Sequence, residues 1–118
     1  MNNYRSGKWA EFLARLYLRL HGYRIVARNI IVGRGTTAVE IDIIACKHKC
    51  LVFVEVKKRR TLDEAAYAIT LKQMQRLIKG AAVFVGNKPQ YSGYDIRFDA
   101  VLVKLPFSIR HLQNAWIA

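Results

Sequence analysis

The chain is 118 residues long, with 20 Lys and Arg against 8 Asp and Glu and a formal net charge of +12. Its 53% hydrophobic content excludes a basic disordered tail, and the length predicts one domain over residues 1–118. No apolar run approaches the roughly 18 residues of a membrane span, charges interrupt the N-terminus where a secretion signal is apolar, and no longer segment recurs.

The first periodic segment covers residues 8–20. Trp9, Phe12, Leu13, Leu16, Tyr17 and Leu20 recur at i, i+3, i+4 and i+7, which predicts an amphipathic helix with Ser6 as N-cap and Gly22 as its end. At 100° per residue Lys8, Arg15 and Arg19 share one sector, and the small or apolar Ala10, Ala14 and Leu18 occupy another. Glu11 lies between the two, open to either orientation. Residues 23–31 read as a strand, closed by a turn at Gly33 and Gly35. Residues 39–45 and 51–57 form a hairpin around the basic loop Cys46-Lys47-His48-Lys49-Cys50. Residues 59–67 are a connection without clear period. Thr70-x-x-Gln73 then opens a helix as a capping box, with Leu71, Met74, Leu77, Ile78, Ala81 and Val85 as its apolar stripe. After a loop over 87–94, residues 97–104 are a strand, and Pro106 with Ser108 starts a short last helix carrying Ile109, Leu112 and Trp116. The order α-β-β-β-α-β-α predicts an α/β fold, a small mixed sheet flanked by helices.

Three of the few acids stand inside strands. Alternation puts Glu40 and Asp42 on one face, opposite Val39, Ile41 and Ile43; it puts Phe53, Glu55 and Lys57 on one face, opposite Val52, Val54 and Val56. A register placing Asp42 opposite Glu55 also places Glu40 opposite Lys57 and Ile44 opposite Phe53, because antiparallel partners keep a constant index sum. Adjacent carboxylates destabilise a sheet unless neutralised, and a divalent cation does so economically. Carboxylate oxygens suit Mg²⁺ or Mn²⁺, which polarise a phosphoryl oxygen and acidify water. Lys57 would then orient that water and stabilise charge on the phosphate. The plainer alternative is a cross-strand Glu40–Lys57 ion pair with Glu55 reaching solvent.

The charge excess points to a polyanion, nucleic acid above all. Lys57-Lys58-Arg59-Arg60 follows the acidic pair directly and is placed to hold a phosphate backbone beside the metal. Lys72 and Arg76, opposite the apolar stripe of their helix, are further candidate contacts. Tyr4, Tyr67, Tyr91 and Tyr94 are candidates for stacking on bases. Cys46-x-His48-x-Cys50 is one ligand short of a structural zinc site, and two cysteines in the whole chain fit a reducing, cytoplasmic setting. Gly33-Arg34-Gly35 lacks the length of a phosphate-binding loop.

The sequence resembles the YraN-like family of small bacterial proteins, whose fold resembles the PD-(D/E)XK nuclease superfamily and archaeal Holliday-junction resolvases. The matching stretches are Ala10-Glu11 with Ala14, Gly22-Tyr23-Arg24-Ile25 through Arg28-Asn29, Glu40-Ile41-Asp42, Val52-Phe53-Val54-Glu55-Val56-Lys57, Arg97-Phe98-Asp99, and His111 through Asn114-Ala115. The resemblance implies a restriction-endonuclease-like core in which Asp42 and Glu55 ligate the metal, Lys57 is the catalytic lysine, and Glu11 turns inward as a further acid. It also implies a polar helix residue near the site, Gln73 or Lys72. Val39 stands where the family usually has Gly. The expected function is a Mg²⁺- or Mn²⁺-dependent nuclease hydrolysing phosphodiester bonds in DNA, branched or structured DNA included. A homodimer would suit the two symmetric scissile positions of a four-way junction. The alternatives are a non-catalytic nucleic-acid-binding module on the nuclease fold and an adaptor for an acidic protein.

Overall fold

Strand-forming alternation through the middle of the chain builds a sheet between two helical layers. A computed structural model describes residues 2–116. Its elements are α1 (Asn3–Leu20), β1 (Arg24–Val32), β2 (Val39–Lys47), β3 (Cys50–Lys58), α2 (Leu62–Tyr67), α3 (Leu71–Gly86), β4 (Asp95–Lys104) and β5 (Ser108–Trp116). The five strands lie side by side in chain order. β3 and β4 are parallel, joined by the α2–α3 crossover, and the other pairs are antiparallel. This is the expected mixed sheet flanked by helices, consistent with a small nuclease-like core. No helix among the described residues is long and apolar enough to cross a membrane.

Each face has its own core. Ile41, Ile44, Phe53, Phe98 and Leu102 pack with Leu77, Ala81 and Phe84 of α3, whereas Ile43, Val52, Val54, Val101 and Val103 pack with Ala10, Leu13, Ala14 and Leu18 of α1. Leu51 through Val54 are fully buried because β3 is covered on both sides. The hairpin loop is tighter than its basic sequence suggests. His48 and Lys49 both take positive φ, 52° and 58°, in a two-residue turn of the type that matches strand twist. Lys47 pairs with Cys50 across it.

The hairpin register is the expected one, with Ile44 opposite Phe53. The ladder reaches Ile43 and Val54 and ends there. Strict alternation also fails at this point: Ile41 joins the α3 core and Ile43 the α1 core. On the other side, Asn29 of β1 takes φ 49° between the pairs Arg28–Ile43 and Ile30–Ile41. Asp42 therefore sits at a local twist where the sheet opens towards β3.

Three sequence expectations are corrected. The last element is an edge strand, not a helix: residues 108–112 pair with β4, and an irregularity opposite Phe98–Ala100, with Asn114 at φ 52°, breaks the alternation. Ile109 faces the α1 core while Leu112 and Trp116 face the α3 core, so their helix-like spacing combines residues from both faces of the strand. The connection over 59–67 contains α2, capped by Thr61, whose Oγ1 accepts the Glu64 N–H at 3.0 Å. Finally, α1 begins at Asn3 under an Asn2 cap and buries its small side, leaving Phe12, Leu16 and Leu20 exposed. The α3 capping box forms as expected, with both Thr70–Gln73 bonds at 3.1 Å.

Candidate active site

Where the β2–β3 ladder ends, the Val56 N–H loses its strand partner, and a buried donor without one is costly. Asp42 replaces it: its Oδ2 accepts the Val56 N–H at 2.9 Å. One residue earlier on β3, Glu55 is 17% exposed, and its Oε1 lies 3.2 Å from the Lys57 Nζ, itself 14% exposed. Lys57 is thus paired along its own strand. No Glu40–Lys57 ion pair occurs among the described residues, and Glu40 is exposed. From α1, Glu11 contributes an Oε1 that is shut off from solvent and has no hydrogen-bond partner among the described residues.

The electrostatics of the cluster are those of crowded anions. Burial first, and then the charge of Glu55, push the Asp42 carboxyl up to about 7, with Glu11 adding to the rise; the Val56 N–H and Lys57 oppose it. Burial also raises Glu55; Lys57 counteracts this by charge and hydrogen bond, and Glu11 and Glu40 reinforce it. One lysine does not compensate three neighbouring carboxylates. Among the described residues no set of three or more His, Cys, Asp or Glu is gathered closely enough to enclose a metal by itself. That also sets aside the Cys46-His48-Cys50 knuckle, and both cysteines are free thiols. Two desolvated carboxylates beside an unpartnered glutamate oxygen fit a hard dication that keeps waters and takes substrate phosphate oxygens instead of a full protein cage.

The other sequence-predicted residues fall into two groups. Gln73 and Arg76 line a cavity of about 170 Å³ with Glu40 and Glu55, and Lys72, Arg76 and Lys79 line an adjoining one of about 370 Å³. The Gln73 Oε1 is engaged in capping the Thr70 N–H, so its first task is to start α3. Lys58, Arg59 and Arg60 line a larger cavity of about 760 Å³ on the other side, between α1 and α2. Lys104 joins them there, a residue the sequence reading did not single out. Of the four tyrosines, Tyr4 and Tyr67 are exposed, while Tyr91 is buried and Tyr94 half-buried.

A second polar cluster also went unread as a unit. Asp99 is fully buried and accepts from Arg97 Nε at 2.8 Å and Nη2 at 2.7 Å, with His111 Nε2 at 2.7 Å and the Asn114 N–H at 2.9 Å. Arg97 Nη2 also donates to the Tyr23 hydroxyl at 2.6 Å. Burial alone would raise the Asp99 carboxyl, but bonds from His111, Arg97 and Asn114 outweigh it and hold the group below its ordinary value. The signal was Asp99 two residues after Arg97 at the start of an apolar run, which puts the pair on one face of a strand.

The model of the uncharacterised protein family UPF0102 matches residues 10–103, a span that includes Glu11, Asp42, Glu55, Lys57 and Gln73. A UPF0102 protein of Paramagnetospirillum magneticum is 45% identical over 95% of this chain and 87% of its own length. One from Nitrobacter winogradskyi is 44% identical over 98% of this chain and 94% of its own, and one from Parvibaculum lavamentivorans is 44% identical over 96% and 82% respectively.

Proposed function

The chain belongs to the UPF0102 family, and we propose that it is a divalent-metal-dependent nuclease hydrolysing phosphodiester bonds in DNA, branched or structured DNA included. The observation that carries this reading is the Asp42–Glu55 pair at the open end of the β2–β3 ladder, both carboxyls raised and both shadowed by Glu11. Asp42 and Glu55 would hold Mg²⁺ or Mn²⁺, with Glu11 as a further acid from α1. When bound, the ion supplies positive charge at the scissile phosphate and a more acidic water.

The chain's own residues do the rest. Lys57 stands beside Glu55, so its ammonium group orients the attacking water and offsets charge developing on phosphorus oxygens. The Val56 N–H fixes one Asp42 oxygen and so holds the carboxylate in place. Lys58, Arg59 and Arg60 follow Lys57 without a break and hold the flanking backbone; Lys72 and Arg76 serve on the α3 side. A homodimer belongs to this reading for four-way junctions, whose two scissile positions are related by symmetry.

The test is a panel of linear, nicked, flapped and four-way DNA with Mg²⁺ or Mn²⁺. Cleavage is expected for at least one substrate and should fall by more than about 100-fold in Asp42→Ala, Glu55→Ala and Lys57→Ala. Cleavage that survives Asp42→Ala and Glu55→Ala sinks the assignment. One feature favours a binding-only module: the Val56 N–H and Lys57 partner Asp42 and Glu55 from within the chain. Chelator-insensitive binding with no cleavage of any substrate would select it.

A further inference from the structure

α1 is apolar over more of its circumference than the sheet covers. Phe12 stays 44% exposed and stacks on Trp9, with ring centroids 5.6 Å apart and planes 24° from parallel. Trp9 meets Phe107 edge-on at 6.4 Å, and Phe107, in the β4–β5 turn, is 71% exposed. Trp9 Nε1 donates to the Pro106 carbonyl at 3.0 Å, which ties the helix to the turn and fixes the indole plane. Three rings are thus held together, Trp9 seated against the α1-side core and Phe12 and Phe107 open to solvent.

The same turn leads out of the largest basic cavity. Lys104 and Leu105 line it together with Lys58, Arg59 and Arg60, against the single acid Glu64. Cations that follow a backbone beside aromatic faces that accept bases are what single strands bind. We propose that Trp9, Phe12 and Phe107 form a stacking platform for unpaired bases of a strand whose phosphates lie in the Lys58–Lys104 cavity. This rests on the nucleic-acid reading above and narrows the substrate class to strands with an unpaired segment, as against uninterrupted duplex. Charge selects this occupant over a second copy of the chain. The exposed Arg5, Lys8 and Arg19 fall within about 40° of Phe12 on the helical wheel. A two-fold contact there would bring like charges together on a chain of net +12.

The experiment measures anisotropy of a labelled 15-nucleotide oligo(dT) and of a blunt duplex of equal length, in EDTA at low salt, so that binding is read without cleavage. Phe107→Ala and Phe12→Ala should each weaken oligo(dT) binding by about tenfold and change duplex binding by less than about twofold. In a Trp116→Phe background, oligo(dT) should quench the remaining Trp9 fluorescence. Unchanged oligo(dT) affinity in both variants overturns the proposal, as does equal weakening on duplex. So does a wild-type dimer that Phe107→Ala converts to monomer. Quenching and Phe107-dependent binding by a chain that cleaves nothing would keep the platform and remove the nuclease; cleavage with neither would do the reverse.

Discussion

At the scale of single residues, the acidic pair makes the fold sensitive to protons and to metal. Asp42 is raised to about 7 and Glu55 is raised with it, so the folded state favours their protonated forms. Their contribution to stability is complete below the ordinary carboxylate range and is lost as pH rises through about 7. Between pH 5 and pH 8 the metal-free protein should lose a few kcal/mol, at about 1.4 kcal/mol per unit. Urea midpoints across that range should show the loss, Asp42→Asn should flatten it, and Mn²⁺ should restore the wild type at pH 8. Asp99 has the opposite sign. Its lowered carboxyl stabilises the fold above the ordinary carboxylate range and stops doing so as pH falls through its depressed pKa. Asp99→Ala strips the His111 side chain of its carboxylate partner, leaves the half-buried Arg97 guanidinium with Tyr23 alone, and should cost about 3 kcal/mol by urea unfolding. The first cluster was legible because Glu-x-Asp and Glu-x-Lys lie inside short alternating strands. The second was not, because His111 and Asn114 meet Asp99 only once β5 folds beside β4.

Elements show why legibility ended where it did. Local signals held where neighbouring residues decide them: the Thr70 cap, the hairpin register, and Leu77 and Ala81 in the stripe of α3, whose first member Leu71 stays exposed while Phe84 joins the core. They failed where two elements must meet. α1 offers two apolar sides, and the sheet accepts the smaller one, Ala10 and Ala14 with Leu13 and Leu18, where the alanines permit close approach. β5 mimics a helix because its apolar residues come from both faces, Ile109 against the α1 core and Leu112 with Trp116 in the α3 core. α2 was announced by Thr61-x-x-Glu64, the same spacing that marked α3. The Val39 site, where Gly is usual in the resembling family, has an answer in α3. A Cβ on Gly80 would lie 3.2 Å from both Val39 Cγ1 and Val32 Cγ2, so the helix glycine makes room for the two valines. Gly80→Ala should therefore destabilise by roughly 1 kcal/mol despite its gain of about 1 kcal/mol in helix propensity. Adding Val39→Ala should recover part of that loss in a double-mutant cycle of thermal midpoints.

Across the whole molecule, the basic residues form two groups. Lys72, Arg76 and Lys79 lie along α3, and Lys58, Arg59, Arg60 and Lys104 between α1 and α2, while Glu55 shares a cavity with Arg76 just beyond the end of the β2–β3 ladder. A duplex or junction crossing that end would touch both groups, and its affinity should fall steeply with salt. Replacing Arg59 and Arg60 by Ala should reduce the slope of log K against log[salt] by about 2 and leave the urea midpoint unchanged. The most direct measurement is anomalous scattering from crystals grown in excess Mn²⁺. The account predicts a peak bridging the Asp42 and Glu55 carboxylates in wild type and none there in Asp42→Asn. Density free of any peak between those side chains at pH 8 would contradict it.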